Sequence, residues 1–171
     1  SFFAFEFIHY LVDVYSGHKP IKAPLEFALF PSFFPTQIAG PIKRYQDFVP
    51  QLHTPRTFSI KQFDQGVELI LWGLCRKVLL ADNIAVVVDK CLAHPELLSS
   101  ADTWLIFYAF AFQVYFDFSA YTDIARGSAA LMGFSVPINF DLPYLSGSMR
   151  EFWRKWHLSL STWLRDYLFV P

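Results

Sequence analysis

Apolar and polar positions alternate along the chain in blocks that predict helices of different lengths. Phe2 to Tyr15 is apolar except for Glu6, His9 and Asp13, which recur at helical spacing and therefore share one face. This pattern predicts the second half of a membrane helix whose polar face points into protein. Leu25 to Phe34 is apolar, but a bilayer crossing needs roughly 20 residues, so this segment is predicted to be re-entrant or interfacial.

The middle of the chain contains one irregular stretch, one loop and two long helical segments. Pro35 to Pro41 carries Pro and Gly residues that predict irregular backbone, and Lys43 to Lys61 is predicted to be a polar, basic surface loop. Phe63 to Leu92 is helical in pattern but interrupted by charges at 76–77 and 82. This favours a tilted or broken helix whose charges face neighbouring elements or snorkel toward water. Thr103 to Met132 is the longest helical candidate.

The last segment predicts one helix from Ser148 to Leu168. Ser148 and Glu151 have the spacing of a capping box, in which each side chain bonds to the other residue's backbone N–H. On a helical wheel the segment has an aromatic stripe, a polar stripe and a narrow basic stripe. The basic stripe consists of Arg150, Arg154, His157, Ser161 and Arg165.

Such a helix is too polar to lie in hydrocarbon, because two of its faces would expose charges there. We therefore expect it to rest on a helical bundle or to line an aqueous cavity. Arginines around one imidazole suit an anionic, phosphate-bearing ligand such as a coenzyme. An amphipathic helix that lies on anionic lipid headgroups is the alternative interpretation.

A second polar cluster lies within the long helix predicted at 103–132. Asp117 and Tyr121 are four residues apart, and Asp123 is three residues from Arg126, with which it can pair. Carboxylates inside a membrane helix indicate a functional site. The alternative is a structural role, in which the two carboxylates hold neighbouring helices together by hydrogen bonds.

Composition supports an all-α, polytopic transmembrane bundle with short re-entrant or interfacial helices. The 171 residues are 54% hydrophobic and 19% aromatic but only 17% charged, whereas soluble domains carry about 25% charged residues. The net charge of −1 gives no nucleic-acid footprint, and the spacing of the two cysteines matches no metal site. Because the chain starts inside an aromatic run without Met, we interpret residues 1–171 as an internal fragment, truncated at both ends, of one membrane domain.

Basic residues are distributed unevenly among the loops. Lys43, Arg44, Arg56 and Lys61 precede the long helical segments, and further basic residues follow them at 150–155, whereas the loop at 94–102 contains no Lys or Arg. By the positive-inside rule, the basic segments are predicted to be cytoplasmic and the loop at 94–102 external.

Three stretches carry a resemblance to a known family. They are the string Arg150 to Pro171, which includes Trp-Arg-Lys-Trp-His-Leu-Ser-Leu-Ser-Thr-Trp, and the segments Phe34 to Tyr45 and Phe116 to Gly127. Together they resemble the membrane-bound O-acyltransferase family, and most closely its branch of alginate O-acetyltransferases and teichoic acid D-alanyl transfer proteins.

The resemblance implies a ring of helices around a funnel in the bacterial inner membrane. There an acyl group, expected to be acetyl, would pass from a cytoplasmic thioester donor to a hydroxyl of an extracytoplasmic polysaccharide or cell-wall polymer. The donor would be acetyl-CoA or an acyl carrier. It further implies no bound cofactor, contact with membrane lipid, and a periplasmic or carrier-protein partner.

The resemblance also assigns roles to residues. His157 matches the first of two characteristic positions and is expected to support catalysis, while the main catalytic histidine is expected beyond Pro171. The residues expected to line the donor or acceptor path are Arg150, Arg154, Ser161, Arg165, Asp117, Tyr121 and Asp123. The alternative function is a transporter or channel subunit, whose substrate path would run along the broken stretches at 35–40 and 76–83.

Overall fold

The computed structural model describes residues 2–55 and 57–169. Ser1, Arg56, Val170 and Pro171 lie outside the described residues, and with them the contribution of Arg56 to the predicted basic loop. Within the described ranges the regular structure is helical, which confirms the all-α fold class.

Eight α-helices and two π-helical segments make up the described chain. They are α1 (Phe2–Tyr15), α2 (Pro24–Ser32), α3 (Tyr45–His53), α4 (Ile60–Cys75), a first π-segment (Arg76–Ala81), α5 (Asp82–Leu92), α6 (Ser100–Leu131), α7 (Met149–Trp153), α8 (Leu158–Leu164) and a second π-segment (Arg165–Phe169). Single 3₁₀ turns lie at Phe34–Thr36, Pro95–Leu97 and Pro143–Leu145.

The longest helix, α6, begins at a complete capping box. The Ser99 hydroxyl accepts from the Asp102 N–H at 3.2 Å, and the Asp102 carboxylate accepts from the Ser99 N–H at 3.1 Å. Such a cap satisfies N–H groups that the first helical turn leaves without a partner. The helix then runs for 32 residues to Leu131, and it confirms the long helix predicted at 103–132 with a start three residues earlier.

Helices α4 and α6 lie antiparallel and approach each other at glycines. A Cβ atom added to Gly127 would lie 2.6 Å from the Gly66 carbonyl oxygen, and one added to Gly73 would lie 2.7 Å from Ile124. Neither position has room for a side chain. This close approach is of the kind that small residues permit between membrane helices.

An aromatic core joins α1, α2 and α3 to the end of α6. The Phe48 ring lies 4.9 Å from the Phe33 ring and 5.1 Å from the Phe134 ring, and all three are buried. Tyr10 and Tyr45 complete the same cluster in an edge-to-face contact at 4.9 Å. Aromatic pairs in this range contribute about 0.5–1.5 kcal/mol each beyond area burial.

The predicted surface loop at 43–61 is wrong in its first half. Residues 45–53 form α3, and Lys43, Tyr45 and Phe48 are buried, with exposures of 2%, 4% and 1%. The basic pattern misled the prediction because Lys43 pairs with a carboxylate inside the protein instead of facing water.

In the part of the chain that is described, no helix combines the length and the apolar character needed to cross a membrane. The polytopic arrangement therefore stays a prediction. Large apolar side chains nevertheless cover the outer faces of α4 and α6, where Leu71, Trp72 and Leu105 are 57%, 58% and 70% exposed. Contiguous exposed apolar surface indicates contact with lipid or with further protein.

Candidate functional site

The predicted final helix is broken at His157. Helix α7 ends at Trp153 and α8 begins at Leu158, and between them His157 adopts φ 44° and ψ 57°. This left-handed conformation is uncommon for a residue other than glycine, although His is enriched there, and it costs about 1–3 kcal/mol. The prediction of one continuous helix to Leu168 is wrong, and so are the three stripes drawn on it.

An extended segment at 139–141 causes the break. Phe140 and Trp156 pair as an isolated antiparallel bridge, and the Leu158 N–H donates to the Asn139 carbonyl at 2.9 Å. These bonds use backbone groups that a continuous helix would keep for itself. The pairing joins positions far apart in the sequence, so no helical periodicity reveals it.

The His157 ring lies inside the protein against aromatic side chains. It is 7% exposed, and its centroid lies 4.8 Å from the Phe118 ring of α6, edge to face, and 6.5 Å from the Phe140 ring. Burial lowers the pKa of His157 from 6.5 to about 4. The imidazole is therefore neutral near pH 7, with one nitrogen able to donate a hydrogen bond and the other able to accept one.

A buried hydrogen-bond node fixes the chain just after His157. Asn139 Oδ1 accepts from the Ser159 hydroxyl at 2.6 Å and from the Ser159 N–H at 3.3 Å. The Ser159 oxygen in turn accepts from the Ile42 N–H at 3.0 Å. The node ties α8 to the irregular stretch before α3.

Helix α8 and the second π-segment form hydrogen bonds with α1. The Trp163 indole N–H donates to the Phe5 carbonyl at 3.0 Å, and the Tyr167 hydroxyl lies 2.8 Å from both carboxylate oxygens of Asp13. The Arg44 guanidinium lies 4.5 Å from the centre of the Tyr167 ring. These contacts confirm that the polar face of α1 points into protein.

The same face of α1 carries a buried ion pair. Lys43 Nζ lies 2.7 Å from Glu6 Oε1, and the side chains are 2% and 6% exposed. The ammonium group also lies 5.0 Å from the centre of the Phe30 ring. Such a pair persists in an apolar interior because each charge neutralises the other.

The carboxylates of α6 pair with cations of the first π-segment. Asp123 contacts Arg76 and also accepts from Arg126 at 3.1 Å, and Asp117 lies 2.6 Å from Lys77. The predicted Asp123–Arg126 pair is confirmed. Of the charges that interrupt the helical stretch, Arg76 and Lys77 contact α6, whereas Asp82 pairs with Lys77. Because a π-turn places more residues in each turn, it changes the direction of the side chains that follow, and such turns are frequent at functional sites.

The other predicted site residues do not converge on His157. Arg150, Arg154 and Arg165 are exposed, and Arg165 pairs with its neighbour Asp166 at 2.7 Å. Ser161 is half-buried and donates to the Trp156 carbonyl at 3.0 Å, and Tyr121 is half-buried on α6. Their roles in lining a donor or acceptor path stay predictions.

The cap of α7 differs in one detail from the predicted capping box. The Ser148 hydroxyl accepts from the Glu151 N–H at 3.2 Å, as predicted. The Glu151 carboxylate, however, accepts from the Gly147 N–H at 2.9 Å, not from the Ser148 N–H. Extended backbone at Ser148 (φ −154°, ψ 158°) precedes the helix at this cap.

Sequence reasoning missed Asn139 and Lys43 as residues of this region. Asn139 lies in a stretch whose Pro and Gly residues predict no regular structure, so nothing in its position shows that it is 1% exposed beside the break. Lys43 was missed because it stands beside Arg44 in a segment that was predicted to be a basic surface loop. The one available signal was its place directly after Gly-Pro-Ile within a stretch of irregular backbone.

Comparison with known proteins defines the class. The model of the membrane-bound O-acyltransferase family matches residues 5–171. The chain is 46% identical to the probable alginate O-acetylase AlgI of Pseudomonas putida, over 99% of this chain and 35% of that protein. It is 33% identical to the peptidoglycan O-acetyltransferase of Helicobacter pylori, over 100% of this chain and 38% of that protein. It is also 30% identical to the teichoic acid D-alanyltransferase of Bacillus subtilis, over 99% of this chain and 44% of that protein.

The chain belongs to the membrane-bound O-acyltransferase family. It spans about a third of the length of the alginate O-acetylases that it matches. The family match includes both the node around Asn139 and the break at His157.

Proposed function

We propose that this chain is part of a larger enzyme that transfers an acyl group to a hydroxyl of a polysaccharide or cell-wall polymer, and that the acyl group is acetyl. The observation that carries the proposal is His157, a buried imidazole in a left-handed break, within a chain that belongs to an acyltransferase family. The relatives are named for acyl transfer to alginate, peptidoglycan and teichoic acid, three polymers with acceptor hydroxyls.

The chemistry fits a neutral imidazole. Transfer from a thioester to a hydroxyl requires a group that accepts the hydroxyl proton and donors that stabilise the oxyanion. With its pKa lowered to about 4, His157 keeps an unprotonated nitrogen at neutral pH. We assign His157 a supporting role, in which it orients the donor or bonds to the reacting groups, beside a second histidine beyond Pro171.

The donor is proposed to be a cytoplasmic thioester, acetyl-CoA or an acyl carrier protein. Exposed basic side chains at Arg150 and Arg154, with Lys61, support a cytoplasmic orientation of this face by the positive-inside rule. They also offer cations to a phosphate-bearing donor. The acceptor polymer then lies on the other side of the membrane, where a periplasmic partner protein delivers or receives it.

We further propose that the complete protein is a multi-pass protein of the bacterial inner membrane. The exposed apolar faces of α4 and α6 support this arrangement, since lipid or neighbouring helices would cover them. The family match favours acyl transfer over the transporter alternative.

The test is an acyl-transfer assay on the complete protein in lipid, with a thioester donor and a polymer acceptor. We expect His157→Ala to lower the rate by about 100-fold or more. Arg154→Ala is expected to raise the KM for the donor. His94→Ala, which removes an exposed imidazole from another loop, is the matched control and should keep the normal rate. If His157→Ala transfers acyl groups at the normal rate while folded, the proposal fails.

A further inference from the structure

Helix α8 begins without help from the side chain before it. The residue at a helix start usually caps the first N–H groups with its own side-chain oxygen. His157 occupies that position, and its side chain makes no cap bond to the helix. Asn139, which lies in another segment, caps the helix instead. Its carbonyl accepts from the Leu158 N–H at 2.9 Å, and its Oδ1 accepts from the Ser159 N–H at 3.3 Å.

This arrangement fixes the orientation of the Asn139 amide. The Ser159 N–H can only donate, so the atom that accepts from it must be Oδ1, and Nδ2 is the other end of the amide. Asn139 is 1% exposed, and its Nδ2 is buried with no hydrogen-bond partner in the ranges 2–55 and 57–169. A buried donor that is left without a partner costs about 1–3 kcal/mol.

Capping alone does not require that cost. The helix N–H groups use only the two oxygens of Asn139, the backbone carbonyl and Oδ1, so the cap makes no use of the Nδ2–H donor. The amide therefore leaves Nδ2–H available to a group outside the ranges 2–55 and 57–169. The reacting groups of an acyl transfer supply one, since negative charge develops on the acyl oxygen in the transition state.

We propose that Asn139 is a second functional side chain of the site, whose Oδ1 holds the backbone after His157 and whose Nδ2–H donates a hydrogen bond to the reacting acyl oxygen. This inference rests on the acyltransferase function proposed above. The neighbouring His157 ring packs against the Phe118 and Phe140 rings, so this region is apolar, and a hydrogen bond made in such surroundings is stronger than one made in water.

The most informative variant is Asn139→Asp in the complete protein. Asp keeps an oxygen that accepts from Ser159 but replaces the donor by a second acceptor. We expect kcat to fall at least about tenfold at pH 8, with the KM for the thioester donor changed less than about threefold. Asn83→Asp, at an exposed amide that bonds to Val78 and Leu79, is the matched control and should keep the normal rate.

A pH series separates lost donation from damaged structure. Burial raises the pKa of a carboxyl group, and a protonated carboxyl can donate one hydrogen bond. The ratio of Asn139→Asp to wild-type kcat should therefore rise as pH is lowered from about 8 to about 6. A ratio that does not change with pH overturns the donor role, whether the rate is normal or low.

A double-mutant cycle with His157→Ala provides the second measurement. Side chains that act on the same reacting groups have non-additive effects on the rate. The acyl-transfer rate of the double variant His157→Ala/Asn139→Ala should therefore lie within about threefold of the rate of His157→Ala alone. Fully additive losses overturn the inference. A normal rate for His157→Ala overturns the proposed function itself, so the two failures are distinguishable.

Discussion

The Lys43 ammonium and the Glu6 carboxylate meet 2.7 Å apart in the interior, 37 residues apart in sequence. The pair joins the first helix to the irregular stretch that also receives Ser159 through the Ile42 N–H. The pair therefore helps to position the segment that contains His157. Burial lowers the pKa of Lys43, and the nearby Glu6 carboxylate opposes that shift.

Removing one partner of this pair should destabilise the protein strongly. Lys43→Met leaves the Glu6 carboxylate buried without its cation, which costs about 3–5 kcal/mol. The double variant Glu6→Leu/Lys43→Met removes both charges and should recover most of that loss. Thermal unfolding of the complete protein in detergent measures the effect. If Lys43→Met alone unfolds at the wild-type temperature, the Glu6–Lys43 pair does not stabilise the fold.

The two carboxylates of α6 should differ in their importance. Asp123 is 15% exposed and pairs with Arg76 and Arg126, whereas Asp117 is 54% exposed and pairs with Lys77. Asp123→Asn should cost about 2 kcal/mol, because two partly buried cations lose their partner. Asp117→Asn should cost less than about 1 kcal/mol, as exposed pairs do. Equal losses in unfolding free energy for the two variants would contradict this assignment.

The contact between α4 and α6 depends on glycine. Gly127→Ala places a Cβ atom 2.6 Å from the Gly66 carbonyl oxygen, so the helices must move apart. We expect a loss of about 1–3 kcal/mol, the usual cost of overpacking. Gly147→Ala is the control, since a Cβ atom there meets nothing closer than the Glu151 carboxylate at 3.7 Å. A Gly127→Ala protein as stable as the Gly147→Ala protein would show that the helices separate freely.

The stability contribution of His157 should depend on pH in a defined direction. Its pKa is about 4 when folded and 6.5 ordinarily, so between these values the unfolded chain binds more protons. The contribution is therefore fully present above about pH 6.5 and is lost as pH falls toward 4. The difference in unfolding temperature between wild type and His157→Gln should shift against the wild type over that interval. A difference that stays constant from pH 7 to pH 4.5 would contradict a buried, neutral imidazole.

The sequence predicted well those features that depend on local pattern. The 3.6-residue period placed α1 and α6, and the spacing of Asp123 and Arg126 predicted their pair. The shared face of Glu6, His9 and Asp13 was correctly assigned to the interior, because polar residues on an apolar helix need protein partners.

The break at His157 is not a local property. Its cause is the pairing of residues 139–141 with the chain around Trp156, and helical periodicity carries no information about a distant strand-like partner. The burial of Lys43 was missed for a similar reason, since Lys43 lies in irregular backbone and its partner Glu6 lies on the distant helix α1. Both errors lie where tertiary contacts outweigh local preference.

In the proposed function, His157 acts through its imidazole while its backbone is held in the left-handed conformation. The most direct test is the acyl-transfer rate and unfolding temperature of the complete protein with His157→Gly, compared with His157→Ala. Glycine adopts this conformation at no steric cost, so the Gly variant should be more stable than the Ala variant by about 1 kcal/mol. Both variants should be equally slow. A His157→Gly protein that transfers acyl groups at the wild-type rate would contradict the account.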